Sequence, residues 1–315
     1  MKSSKVFAPA SVGNAAVGFD VLGFALDGVG DIVTVSVIDE PTVKVESITD
    51  AMGVLGHHKL PLDPTRNTAA VALIRMREEL CLDHGFSIAL DKGIAVGSGM
   101  GGSAASAVGA VVAANSLLDD QLSNDELLRF ALLGELVASG SAHTDNIAPC
   151  LFGGLSLTVS IDPPRFVSIP VPDSILCVMV HPHIRLDTLT QRKALRQEVS
   201  LKEYVKQSAN LAGFIAGCYA NDLELIRSSF SDVIIEPQRA ERIPGFYEVK
   251  AAAIENGAIG AAISGAGPSV FAWVTSAEAA DVVKVAMVKT FEAHGTAELD
   301  AFISPISSKG ATIIG

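Results

Sequence analysis

"GIAVGSGMGGSAASAVGAVVAANSLL", residues 93–118, carries no charged side chain and six glycines, and its second half becomes a run of small and apolar residues. It can be read as a membrane segment, a dinucleotide loop or a cradle for phosphate. A membrane span needs about 20 predominantly apolar residues. The apolar part here, Ala104–Leu118, is only 15 residues long, and Gly and Ser precede it. A buried helix is therefore expected, opened by a glycine loop.

The rest of the chain narrows the choice. At 315 residues it can form one large domain or two ordinary ones, and 49% of it is apolar, enough for a sizeable core. The formal net charge is −12 with no basic cluster, which argues against nucleic acid or an anionic membrane as partner. A phosphate site must then draw on local donors rather than a global field. Cys81, Cys150, Cys177 and Cys218 lie far apart with no C-x-x-C spacing, so they read as buried thiols of a reducing compartment. The N-terminal "MKSSKVFAPASVGNAAVGFD" is interrupted by Asn14, glycines and Asp20, unlike a signal peptide. A cytoplasmic protein is expected.

Upstream of the loop, "DIVTVSVIDEPTVKVES" (31–47) alternates apolar and polar residues around Glu40–Pro41, which predicts a hairpin. Residues 63–82 have helical periodicity starting near Pro64–Thr65, and 85–96 read as a strand or a strand pair leading into the loop. Downstream, Ser123 and Glu126 form a capping box for a helix closing at Gly140, and 153–161 read as a strand. The proline-bearing 162–174 marks a domain boundary, placed at 165/166. Beyond it come a strand (175–181), helices within 188–232 and at 246–256, strands at 258–264 and 269–275, a helix at 277–293 and a strand at 298–304. That order is the split-βαβ pattern of a ferredoxin-like domain. The first half, strands then helices, is α+β.

The loop "GSGMGGSAAS" (97–106) sits between strand and helix, where main-chain N–H groups and a helix N-terminus can face an anion. A Walker A loop needs a lysine after its last glycine, but Ser103 follows Gly102. A Rossmann fingerprint is formally met by Gly97, Gly99 and Gly102, with Asp119 or Asp120 at ribose distance. A nicotinamide-dependent oxidoreductase thus stays open, as does close helix–sheet packing through small residues.

The other motifs add to this. "APASVGNAAVGFDVLGFAL" (8–26), "GSAHTDNIAP" (140–149) and "ISGAGPSVF" (263–271), taken with the loop, resemble the GHMP kinases. The family loop P-x-x-x-G-L-G-S-S-A-A appears here as Ala95-Val-Gly-Ser-Gly-Met-Gly-Gly-Ser-Ala-Ala, so the proline, leucine and first serine are replaced. The resemblance covers nearly the whole chain. It is greatest to the branch that phosphorylates L-homoserine, through Pro9-Ala10-Ser11 with Asn14 and Gly18-Phe19-Asp20, and through His143-Thr-Asp145-Asn146-Ile-Ala-Pro149. Thr188…Arg192 and Glu236-Pro237-Gln-Arg239…Ile243-Pro244-Gly245-Phe246 also match that branch. One departure is Ala15-Ala16-Val17, where the branch has Leu-Gly-Pro. A GHMP kinase for another small alcohol is the neighbouring alternative.

The resemblance implies a two-domain α+β fold. Residues 1–165 would form an N-terminal domain like domain 2 of ribosomal protein S5, and 166–315 a C-terminal ferredoxin-like α/β plait. It implies ATP with its phosphates over Gly97, Ser98, Gly99, Met100, Gly101, Gly102, Ser103, Ala104 and Ser106, and adenine near Asn67. It implies Mg2+ on Ser103 and Glu135. Glu135 is the single charge in "FALLGELVAS", and such a carboxylate either reaches solvent or needs a cation. Arg192 and Arg239 suit the homoserine carboxylate, because a guanidinium fork binds it bidentately. Asn14, Asp20 and Asp145 suit its ammonium, and His143 a further hydrogen bond. Asn146 would orient the reacting hydroxyl, with Thr188 nearby and Ser11 where other members carry a catalytic lysine. The family is often dimeric, so a homodimer is a further expectation.

Overall fold

The computed structural model describes residues 2–56, 59–139 and 143–315. β1 (Ser3–Gly13) and β2 (Leu22–Ile38) run antiparallel from Ser3 opposite Ser36 to Gly13 opposite Gly23. β3 (Val43–Thr49) and α1 (Thr68–Glu79) follow, then β4 (Gly85–Asp91), α2 (Gly102–Asn115), α3 (Asn124–Ser139) and α4 (Thr144–Phe152). β5 (Leu155–Ile161) and β6 (Pro164–Ile169) complete this half. The hairpin expected over 31–47 does not form. β4 lies between β2 and β3, antiparallel to the first and parallel to the second. Alternation predicts a half-buried strand but not its neighbour, and Phe86 of β4 fills the position between them.

The second half contains β7 (Leu176–Pro182), α5 (Thr188–Lys193), α6 (Leu201–Ala220), α7 (Leu223–Ser229), α8 (Glu236–Ala240) and α9 (Phe246–Glu255). It ends with β8 (Gly260–Ile263), β9 (Val270–Val274), α10 (Ala277–Ala293), β10 (Leu299–Pro305) and β11 (Thr312–Ile313). Its sheet has the order β10-β7-β9-β8, all antiparallel, as the split-βαβ pattern predicts. The boundary expected at 165/166 falls inside β6, which still pairs with β5, so the change of sheet comes between Ile169 and Leu176. The chain then returns, and β11 pairs with β1 at the edge of the first sheet.

α2 lies against β1 and β2. A Cβ at Gly109 would stand 2.5 Å from Val33 Cγ2, so this helix can approach the sheet only through small side chains. The small-residue run therefore serves helix–sheet packing as well as the loop. The Rossmann reading fails because β4, which feeds the loop, is antiparallel to β2 rather than part of a parallel doubly wound sheet. The two halves share apolar contacts: Phe24 of β2 meets Phe271 and Trp273 of β9 edge-on, at 5.3 and 5.7 Å between ring centroids. The Ser123–Glu126 capping box forms, with Glu126 Oε2 accepting from Ser123 N–H at 2.8 Å. The close of its helix at Gly140 lies outside the described residues. Cys150, Cys177 and Cys218 are buried, but Cys81, expected to be buried, is exposed just past the end of α1. Among the described residues no helix is long and apolar enough to cross a membrane.

Candidate active site

The glycine loop lies between the two halves. Gly97, Gly99 and Gly101 have φ of 70, 83 and 68°, in the left-handed region that favours glycine. A Cβ at Gly101 would stand 2.2 Å from Ser11 Oγ and 3.0 Å from Asn146 Oδ1, so the loop runs tight against β1 and α4. From the other half, Ser264 Oγ–H donates to the Gly99 carbonyl at 2.8 Å and Ser269 Oγ–H to the Ser98 carbonyl at 2.6 Å. "SGAGPS" is thus a brace for the loop as well as a turn. Gly101 caps α2 without any side-chain hydrogen bond, which leaves the first-turn N–H groups available to an anion.

These amides face a cavity of about 560 Å³. Of the loop residues, Gly97, Ser98, Gly99, Gly101, Gly102, Ser103 and Ser106 reach its wall. Met100 and Ala104 turn into the core instead, as their apolar side chains require. Asn67 also lines the cavity, but its amide is engaged as the N-cap of α1. Its Oδ1 accepts from Ala69 and Ala70 N–H, and its Nδ2 donates to the Pro61 carbonyl.

Ser103, in the first turn of α2, donates through Oγ to Glu135 Oε1 of α3 at 3.0 Å. Glu135 is buried and lines the same cavity. Two hard oxygen donors on adjacent helices beside an anion cradle fit a divalent cation that takes its other ligands from phosphate and water. Among the described residues no group of three or more His, Cys, Asp or Glu side chains could hold a metal by itself.

On the opposite side, the 14–20 segment follows β1 in a strained path. Asn14, Ala16 and Asp20 have φ of 55, 53 and 59°, a conformation Asn and Asp adopt readily but one that is costly for Ala16. Ala16 thus keeps a left-handed backbone without the glycine that the resembling branch has there. The segment is held by Asp20 N–H donating to Asn14 Oδ1 and Asn14 N–H donating to Asp145 Oδ2, both at 2.8 Å. Asp145 is fully buried in α4, and burial, with the Asp20 carboxylate adding to it, pushes its pKa up to about 7. Burial also holds the His143 imidazole below its ordinary pKa, against the pull of Asp20 4.0 Å away.

Arg192 of α5 grips Asp20 bidentately, Nη1 to Oδ1 at 3.0 Å and Nη2 to Oδ2 at 2.6 Å. Arg239 of α8 is only 5% exposed and donates through Nη1 to the Gly265 carbonyl at 2.6 Å, while its buried Nε has no hydrogen-bond partner. Phe19 lies near both guanidinium groups, at 5.7 and 5.2 Å from its ring centroid. Asn146 accepts from Ser11 Oγ–H at 3.1 Å through Oδ1 and points Nδ2 at Asp145 Oδ1, 3.4 Å away. Asn14, His143, Asn146, Thr188, Arg192 and Arg239 line the cavity, whereas Asp20 and Asp145 stand behind its wall.

Several wall residues escape the sequence reading. Lys59 and Arg185 belong to segments without recognisable motifs, and Arg66 sits beside Asn67 with no signal of its own. Lys92 has a sequence signal, a charge at the point where a strand turns into a glycine loop, but its partner Asp31 is remote in sequence. Ser106 is engaged with this pair: its Oγ–H lies 2.9 Å from Asp31 Oδ2.

An uncapped helix N-terminus, a Ser–Glu oxygen pair and two arginines border one cavity, an arrangement with the donors that nucleotide phosphates and a carboxylate-bearing acceptor need. Comparison with known proteins gives the family. The models for the GHMP kinases N terminal domain and the GHMP kinases C terminal match residues 67–154 and 214–293. The chain belongs to the GHMP kinase family. Within it, the chain is 48% identical to a homoserine kinase of Xanthomonas campestris pv. campestris over 100% of its own length and 95% of that protein. It is 43% identical to a homoserine kinase of Chloroherpeton thalassium, with both chains wholly covered. The crystal structure of homoserine kinase from Cytophaga hutchinsonii superposes with a TM-score of 0.94 at 43% identity, covering 100% of this chain and 98% of that one.

Proposed function

We propose that this protein is an ATP-dependent kinase that phosphorylates the side-chain hydroxyl of L-homoserine to O-phospho-L-homoserine, a step toward threonine. The observation that carries the reading is one cavity holding the uncapped N-terminus of α2 together with Arg239, whose buried Nε lacks a partner. A buried guanidinium with a spare donor is costly unless an anion completes it. The homoserine carboxylate supplies that anion. Arg192 joins in by sharing or exchanging its Asp20 partner; Asn14 meets the ammonium at the cavity wall, and the carboxyls of Asp20 and Asp145, behind that wall, favour it by their charge.

The ATP phosphates lie over the loop amides of 97–106, with adenine toward the Asn67 segment. Ser103 and Glu135 would hold Mg2+, which would supply charge neutralisation for the phosphate oxygens. Asn146, fixed by Ser11 on one side and Asp145 on the other, orients the homoserine hydroxyl. The hydroxyl oxygen attacks the γ-phosphorus in line. A new O–P bond forms as the bond to the departing ADP oxygen breaks, and the hydroxyl proton leaves with the transferred phosphoryl group. Positioning and charge neutralisation carry most of this chemistry, and Thr188 stands beside the reacting end. A cytoplasmic location belongs to the same reading, supported by the substrate and nucleotide it proposes and by a net charge of −12 that disfavours an anionic membrane. A homodimer is carried over from the family.

The test is ADP release measured across homoserine, mevalonate, galactose and shikimate. Turnover of homoserine well above the others is expected. Turnover confined to another alcohol would replace the substrate while leaving the family reading intact.

A further inference from the structure

Beneath the glycine loop lies a buried ion pair that the chemistry proposed above does not use. Lys92, 3% exposed, directs its ammonium to the carboxylate of Asp31, itself 0% exposed on β2. The same ammonium donates to the Gly102 carbonyl and to Ser106 Oγ, both at 2.9 Å, so all three of its hydrogens are engaged. Asp31 accepts through Oδ1 from Gly93 N–H at 3.1 Å and through Oδ2 from the Ser106 hydroxyl. One carboxylate thus ties the residue that opens the loop to the first turns of the helix that closes it. Between those ties lie three glycines with left-handed φ, of which Gly99 is also braced by Ser264 Oγ from the other half.

We propose that Asp31 and Lys92 are positioning residues that hold the glycine loop in its phosphate-accepting shape. A buried ion pair is a poor source of stability, since desolvation offsets much of its attraction. Its consequence here is geometric. With Lys92 gripping the Gly102 carbonyl, the first turn of α2 stays in register with the end of β4, and its free N–H groups point into the cavity. Because Asp31 neutralises Lys92, the helix terminus keeps its own positive field without a like charge beside it. Ser106, expected on sequence grounds to touch phosphate, acts as the bridge between the pair and α2.

The inference rests on the nucleotide reading of the cavity, so the test separates the two. In the Asp31→Asn/Lys92→Met double variant no charge is left unpaired, and the amide oxygen still accepts from Gly93 N–H. Binding of ADP, AMP and homoserine is measured by calorimetry, beside thermal unfolding. The expected result is an ADP Kd raised about tenfold or more, the scale of ordering one more loop residue on binding. AMP and homoserine binding should change by less than about twofold, with the melting transition preserved. Unchanged ADP binding by the folded variant would overturn the proposal, as would equal weakening for all three ligands, which marks general loosening. If the double variant does not fold, Ser106→Ala serves instead. It should selectively weaken ADP binding by about threefold or more, the worth of one lost hydrogen bond, and equal ADP and AMP losses would refute the proposal. Wild-type protein that binds no ADP would refute the functional reading itself.

Discussion

Asp145 sets stability against function in a way that pH exposes. Its carboxyl is wholly buried and titrates near 7 instead of 3.8. Above pH 7 the folded protein therefore holds a buried carboxylate that the unfolded chain would ionise freely. Between about pH 4 and pH 7 the folded state binds the extra proton, so stability falls as pH rises through that window. At 1.36 kcal/mol per unit, a shift of about three units costs up to ~4 kcal/mol at pH 8. Asp145→Asn abolishes the titration. Its amide oxygen can still accept from Asn14 N–H, although its NH2 must face the Asn146 amide, which removes part of the gain. We expect the variant to be no more stable than wild type at pH 4 and ~2–3 kcal/mol more stable at pH 8, with homoserine turnover lost. Urea unfolding of both proteins at several pH values measures this. A stability difference independent of pH, or one that shrinks as pH rises, would refute the reasoning. A linked expectation is that homoserine binding near pH 6.5 releases protons, because the incoming ammonium favours the ionised carboxyl. Binding heats in buffers of different ionisation enthalpy report the release.

Three further outcomes follow from contacts at the site. Glu135→Gln, which keeps the hydrogen bond to Ser103 but removes the charge, should lower kcat roughly a hundredfold and shift Mg2+ dependence to higher concentration. Steady-state rates over a Mg2+ titration decide this, and wild-type dependence would remove Glu135 from the metal role. Gly101→Ala forces a left-handed φ on a side chain, costing ~1–2 kcal/mol, and drives its Cβ into Ser11 Oγ. Thermal unfolding should show the loss, and kcat/KM for homoserine should fall at least about tenfold because the Ser11–Asn146 bond is broken. Intact kinetics would show that the loop has room to shift. Arg239→Met should raise the homoserine KM about ten- to a hundredfold and leave the KM for ATP and the melting temperature nearly unchanged. Equal effects on both substrates would place the arginine elsewhere in the mechanism.

Much of the site was legible because its parts are local motifs. The glycine loop, the Asn14–Asp20 segment and the His143–Asn146 stretch each keep their chemistry within a few residues. Elements with their own periodicity or caps, such as α3 with its Ser123–Glu126 box, were likewise readable. What escaped depended on partners distant in sequence. Alternation over 31–47 marks two strands correctly but carries no information on which third strand separates them. α4 is not readable in the sequence because Pro149 sits inside it and His143 gives it no side-chain cap.

Sequence alone determined the kind of chemistry: a lysine-free anion loop of small residues, an isolated glutamate in an apolar helix, and arginines spaced as in one branch of one family. Those are properties of side-chain type and short spacing. Only the tertiary structure decided how the groups are placed and paired. It pairs Arg192 with Asp20, leaves a donor of Arg239 unmet, buries Asp145 until its carboxyl titrates near neutrality, and sets Asp31 and Lys92 under the loop. Burial and long-range pairing set these properties, and both arise when strands and helices far apart in the chain close around one cavity.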